Sequence, residues 1–256
     1  MYPSDVTDAA KVFIEKTKMI EKWHSKYDFF DILNAIFFIV YSGCQWRSLP
    51  HDYPSYKIVS YYYYGWKSNG WFQRMLDIAV EQARIWDGQS PIPSLAIVDS
   101  QSVKSGLTRN EKGIDGNKKV KGRKRNIAVD KNGYLLAVKI TKGNMHDSKA
   151  AFMLLALLYI LHPGIANVMG DSGYRGSLHD IAKRYLGINV EAVVSGFTGK
   201  GFVPQKKRWI VERTFALLDR YRRLCRDYED TNSSAQTMTI IAGLMIVLHH
   251  VPSFKN

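Results

Sequence analysis

The chain has 256 residues, of which 46% are hydrophobic and 23% are charged. This is the composition of a globular protein, and it excludes collagen-like, fibrous and disordered chains. Lys and Arg number 36 against 23 Asp and Glu, a formal net charge of +13, which favours a polyanionic partner, nucleic acid before an anionic membrane.

The number of cysteines and the hydropathy pattern indicate the cellular compartment of the protein. Cys44 and Cys225 are the two cysteines, too few for a disulfide framework or for a zinc site made of cysteine alone. The first eight residues lack the pattern of a secretory signal, and the apolar stretches 35–40 and 240–248 are shorter than the ~20 residues that cross a bilayer. We therefore expect a cytoplasmic protein with no membrane partner.

Apolar residues spaced three and four apart predict helices in the first third of the chain, over residues 7–86. One helix is predicted over 28–42, with Gly43 as its left-handed stop. A second helix ends at Gly70, and a third covers 71–85.

Turn-forming residues at 87–93 separate this helical pattern from one that alternates with a period of two. We predict a helical domain over residues 1–92 and a second domain over 93–256. Helix-turn-helix spacing around 43–54 suits a DNA-reading module, so the first domain is expected to bind DNA.

In the second domain, the sequence pattern predicts three consecutive strands followed by alternating helices and strands. The strands are predicted at 95–99, 126–130, 134–140, 165–171 and 190–195, and the helices at 150–161, 177–186, 207–224 and 235–250. This is the order of an RNase H-like fold, a mixed five-stranded sheet with flanking helices. A split Rossmann-like or a ferredoxin-like sheet is the alternative, although no glycine-rich nucleotide-binding motif occurs.

Three carboxylates interrupt apolar segments of this domain. Asp99 ends the first predicted strand, Asp171 ends the fourth, and Glu212 follows Ile-Val on a basic helix. If the two strands are parallel neighbours, Asp99 and Asp171 emerge side by side. Acids gathered on an apolar background repel one another and favour a cation, and oxygen ligands suit Mg²⁺ or Mn²⁺. Two such ions held by carboxylates catalyse in-line phosphodiester displacement.

Four motifs and their order resemble the DDE transposases of bacterial insertion sequences, in the IS-five-like group. They are Ile-Val-Asp99-Ser-Gln-Ser-Val-Lys104, Lys121-Gly-Arg-Lys-Arg125, Gly170-Asp171-Ser-Gly-Tyr174 and Arg208-Trp-Ile-Val-Glu212-Arg-Thr-Phe. Segments 2–8 and 43–50 also resemble the leading domain of that group.

The resemblance implies that Asp99, Asp171 and Glu212 are the catalytic, metal-binding triad. It implies metal-dependent cleavage of insertion-sequence ends and strand transfer into target DNA, by a homodimer or larger assembly on double-stranded DNA at the bacterial nucleoid. The family pattern around the glutamate also carries a Tyr and a Lys, where this sequence has Gln205 and Asp219, with Arg220 one position late.

Basic residues cluster in the stretch 104–125, where Gly113, Gly116 and Gly122 add flexibility, and around the glutamate helix. We expect the stretch to be a loop that binds phosphates and becomes ordered when DNA binds. The predicted DNA contacts are Lys104, Lys121, Arg123, Lys124, Arg125, Arg208, Arg213 and Arg220.

Two other functions remain open on the sequence. One is another RNase H-like nuclease, which cuts without end specificity. The other is a DNA-binding derivative of a transposase, which neither cuts nor joins; the intact acids at 99, 171 and 212 speak against it.

Overall fold

The structure is a computed structural model that describes residues 2–20, 23–106, 112–171, 177–192 and 208–251. The chain divides into two units by its internal contacts. Unit 1 is Met1–Gln89 with Leu218–Cys225 and Thr237–Asn256, and unit 2 is Ser90–Leu217 with Arg226–Gln236. The sequence pattern predicts a single boundary at residue 92. The division by contacts differs from this prediction, because most of the last helix belongs to the helical unit.

Unit 1 is built of helices and a short 3-10 turn. These are α1 (Asp8–Lys16), α2 (Phe29–Ser42), a 3-10 helix (Trp46–Ser48), α3 (Tyr56–Ser68), α4 (Trp71–Trp86), α8 (Arg222–Cys225) and most of α9 (Asn232–Leu248). Local sequence sets the ends of α2: the Asp28 side chain accepts two N–H groups of the first turn, and Gly43 has φ +70°. The predicted helix 28–42 is confirmed.

An aromatic cluster fills the middle of unit 1. Trp66 and Trp71 stack with ring centroids 4.9 Å apart, and Phe29 contacts both rings. Residues 61–64 are four consecutive tyrosines, and because a helix turns 100° per residue they divide between core and solvent. Tyr63 is buried, whereas Tyr61 is exposed.

Unit 2 contains a mixed sheet. Its strands are β1 (Leu95–Lys104), β2 (Gly113–Asp115), β3 (Val120–Val129), β4 (Leu135–Lys142), β5 (Asn167–Gly170) and β6 (Asn189–Ala192). Their order is β2-β3-β1-β5-β6, with β4 paired to β3. β1 is antiparallel to β3 and parallel to β5, and β5 is parallel to β6. The RNase H-like order is confirmed, but the described sheet has six strands where five were predicted, because the short β2 was missed.

Helices α5 (Asp147–Leu161), α6 (Ser177–Leu186) and α7 (Arg208–Leu218) complete this unit. The prediction for α6 is confirmed. The predicted helix 207–224 is shorter in the structure, because α7 ends at Leu218 and a separate short helix starts at Arg222.

The basic stretch between β1 and β4 is the main difference from the sequence-based expectation. β1 continues to Lys104, and β3 begins at Val120, where a flexible loop was predicted. The two strands pair from Ile97 with Val129 through to Lys104 with Gly122. The expected loop is therefore a hairpin in its described part, while residues 107–111 lie outside it.

Over the portion that the structure describes, no helix is both long and apolar enough to span a bilayer.

Candidate active site

The parallel ladder between β1 and β5 places two acids side by side. Ile97 pairs with Met169 at the end of this ladder, and Asp99 and Asp171 each lie two residues further on. Their predicted adjacency is confirmed. Unlike the expectation, Asp99 lies within β1 and not at its end, because β3 continues to pair with β1 beyond it.

Both acids line one polar cleft of about 340 Å³. The other lining residues are Ser100, Asp115, Asn117, Lys118, Lys124, Asn126, Asp147 and Arg208. Because strands β1 and β3 and the β2–β3 turn supply most of these side chains, the cleft follows directly from the hairpin that the sequence did not predict.

Burial raises the pKa of the Asp99 carboxyl above its ordinary value, and the neighbouring Asp171 carboxylate raises it further. The N–H of Ser100, which donates to Asp99 Oδ1 over 2.7 Å, and the charges of Arg208 and Lys118 act in the opposite direction. The net direction is upward, because burial outweighs the hydrogen bond and the two positive charges.

Arg208 lies between the acid pair and the glutamate. Its Nη2 atom is 3.6 Å from Asp99 Oδ2 and 3.7 Å from Glu212 Oε1, one turn along α7. The Glu212 side chain is 58% exposed. Among the described residues, no three His, Cys, Asp or Glu side chains are close enough together to hold a metal ion. Asp99 and Asp171 therefore lie in the same cleft, and Arg208 lies between Asp99 and Glu212.

Three of the predicted DNA contacts, Arg123, Lys124 and Arg125, are buried. The Arg123 guanidinium, 1% exposed, donates to Asp227 Oδ2 over 2.9 Å and to the carbonyls of Glu229 and Asp230. A guanidinium enclosed in this way does not reach a phosphate at the surface.

Lys124 and Arg125 also have partners inside unit 2. Lys124 Nζ donates to Asp147 Oδ1 over 2.6 Å and lies 3.8 Å from Asp115. Arg125 donates to the side chain of Gln101 over 2.8 Å. The expectation that Arg123, Lys124 and Arg125 contact DNA is therefore corrected. The net charge of the sequence did not reveal that β3 buries these residues against acids and amides from other elements.

The remaining predicted contacts are more accessible. Lys104, Lys121, Arg213 and Arg220 are exposed, and the Arg208 side chain is 25% exposed. Arg213 lies over the ring of Trp209 and donates to the carbonyl of Asn132. Gln205, the departure from the family pattern, lies outside the described residues.

Sequence reasoning missed the β2–β3 turn, which contributes Asp115, Asn117 and Lys118 to the cleft. A signal for it exists: Asp115-Gly116 is one of the dipeptides that favour tight hairpin turns. It was obscured because the flanking segments are charged and lack alternating apolar residues.

An RNase H-like sheet with two adjoining acids in one cleft is an arrangement typical of nucleases and transposases. Residues 14–76 match the sequence model of the family described as "Putative transposase of IS4/5 family", and residues 90–199 match that of "Transposase DDE domain". The "Putative transposase for insertion sequence element IS402" of Burkholderia cepacia is 34% identical over 113 residues. Together these matches support an IS4/5-like DDE transposase, which confirms the resemblance.

The match with the Burkholderia cepacia protein covers 40% of this chain, and the chain spans about half, 52%, of that relative's length. Two solved structures are similar at low scores. The catalytic core domain of BIV integrase has a TM-score of 0.37 and 17% identity over 58% of this chain and 81% of its own. The Mos1 strand transfer complex has a TM-score of 0.27 and 10% identity over 72% of this chain and 63% of its own.

Proposed function

We propose that the chain cleaves DNA at the ends of an insertion sequence and joins those ends to target DNA. The observation that carries this proposal is the pair Asp99 and Asp171 on parallel neighbouring strands of one cleft. Two close carboxylates, one of them partly buried and with a raised pKa, form a site that favours a bound cation.

The donor set fits a hard divalent cation. Asp99 and Asp171 offer carboxylate oxygens, and the described residues that line the cleft include no histidine or cysteine, so Mg²⁺ or Mn²⁺ is the expected class of ion. When bound, such ions, two in the proposed site, supply charge neutralisation at the phosphate and a lowered pKa of the attacking water. Asp99 and Asp171 would hold them, with Glu212 as the third proposed ligand.

Arg208 has a defined role in this proposal. It balances the charge of Asp99 in the structure and also contacts Glu212. If a bound cation neutralised Asp99, the Arg208 guanidinium would be available to a DNA phosphate, which it matches in geometry. Glu212, whose side chain is more than half exposed, would then complete the ligand set beside the acid pair.

Double-stranded DNA is the proposed partner. Exposed cations at Lys104, Lys121, Arg213 and Arg220 would bind its backbone without reading sequence. We propose the helical segment 1–92 for recognition of the element's ends, and an assembly of two or more copies, because two ends are processed together.

The test uses labelled duplexes from both flanks of the gene that encodes the chain, incubated with Mg²⁺, Mn²⁺ or EDTA. Asp99→Ala, Asp171→Ala and Glu212→Ala are each expected to lower cleavage and end joining by at least about 10²-fold. Glu191→Ala, which removes an exposed acid from β6 outside the cleft, is the matched control. Unspecific nicking would favour another nuclease, and binding without cleavage a DNA-binding derivative.

A further inference from the structure

One lysine of the basic hairpin differs from the three buried cations of β3. Lys118 lies in the β2–β3 turn, is exposed, and lines the same cleft as Asp99 and Asp171. Its Nζ donates to the backbone carbonyl of Ser100, the residue after Asp99, over 3.3 Å. Its charge also lowers the pKa of Asp99 against the effect of burial, which is consistent with a position beside the acids.

The turn that carries Lys118 is held in place by Asp115. This carboxylate is buried, and its Oδ1 accepts the N–H groups of Asn117 over 3.0 Å and of Lys118 over 3.2 Å. Its Oδ2 accepts the hydroxyl of Ser102 and lies 3.8 Å from Lys124 Nζ. A turn fixed by this many bonds presents its side chains with little remaining conformational entropy to lose on binding.

Asp115 remains ionised in this arrangement. Burial raises the pKa of its carboxyl, but the hydrogen bonds from Ser102 and from the two turn N–H groups, with the charge of Lys124, lower it overall. Lys124 therefore stabilises the base of the turn from inside, and the cation presented to the cleft is Lys118.

We infer that Lys118, together with the side chain of Asn117, forms a phosphate-binding subsite for a DNA phosphodiester next to Asp99 and Asp171. The inference rests on the proposed function and deepens it. The Lys118 ammonium is bound to a neutral carbonyl, and a charged phosphate oxygen is the stronger acceptor. Lys118 can therefore exchange Ser100 for a phosphate, whereas Arg123 is enclosed by a carboxylate and two carbonyls.

The subsite has a consequence for cleavage. A cation beside the acid pair faces the phosphate that receives negative charge during displacement, so it acts on the reaction as well as on binding. Lys104 and Lys121 are exposed but do not line the cleft, so they would contact the DNA backbone outside it.

The chain offers a matched control in Lys119, the next residue of the same turn, which is exposed and does not line the cleft. Lys118→Gln and Lys119→Gln remove the same charge from neighbouring positions. The binding probe is a labelled duplex from the flank of the coding sequence, titrated in EDTA at several salt concentrations. The second readout is the single-turnover cleavage rate of the same duplex at saturating protein with Mg²⁺.

The expected result for Lys118→Gln is a slope of log Kd against log salt that is shallower by about one phosphate contact. The cleavage rate of Lys118→Gln should fall by about 10²-fold. For Lys119→Gln, the change in the salt slope and the fall in the cleavage rate should both be smaller. Equal slopes and equal rates for the two variants would overturn the subsite. A wild-type chain that binds but does not cleave, with the slopes still different, would refute the proposed function and leave the subsite standing.

Discussion

Replacing Arg123 by methionine tests whether this cation serves the fold or DNA. The guanidinium is 1% exposed and satisfies Asp227, itself 7% exposed, as well as two carbonyls of the segment that follows. Breaking a buried ion pair by removing one partner costs about 3–5 kcal/mol, because the other charge is left without compensation. Since whole domains are stable by only about 5–15 kcal/mol, Arg123→Met should lose a large share of the stability of unit 2.

The assay is urea unfolding followed by circular dichroism, with the free energy of unfolding taken from the midpoint and slope. Lys121→Met is the matched control, since it removes an exposed cation two residues earlier on β3 and should change stability by no more than about 0.5 kcal/mol. Arg123→Met combined with Asp227→Leu should recover at least about 2 kcal/mol, because no buried charge remains unpaired. Equal midpoints for Arg123→Met and Lys121→Met would refute this reasoning.

Three further predictions concern the acid pair and the fold. Because burial raises the pKa of Asp99, its ionised form opposes folding, and this cost appears as pH rises through the raised pKa. Without metal, Asp99→Asn should therefore have a higher melting temperature than wild type at neutral pH and lose this advantage in acid. At 100 times the Kd of Mg²⁺, wild type should gain about 2.7 kcal/mol of stability and Asp99→Asn should not. Identical melting temperatures in all conditions would contradict the metal site. Gly122→Ala places a Cβ against the carbonyl of Val103 and should cost about 3 kcal/mol in urea unfolding, whereas a Cβ at Gly116 meets nothing and Gly116→Ala should be nearly neutral; similar midpoints for the two variants would contradict the close approach of Gly122 to β1. Asp28→Ala removes the N-cap of α2 and should cost about 1 kcal/mol by the same assay, and an unchanged midpoint would show that the cap is dispensable.

Elements whose signals are local could be predicted from the amino-acid sequence. Asp28 and Gly43 mark the two ends of α2 by capping chemistry, and the structure has the helix between them. The alternation of strands and helices predicted the RNase H-like order, and with it the meeting of Asp99 and Asp171, because parallel neighbouring strands bring corresponding positions together.

The surroundings of each basic residue, in contrast, depend on tertiary contacts. Arg123 and Lys124 look alike in the sequence to Lys118, yet the first two are buried against acids and the third faces the cleft. Their partners Asp227 and Asp147 lie 104 and 23 residues away along the chain. Charge is a property of the residue, but burial and pairing depend on contacts distant in sequence, which no local pattern encodes.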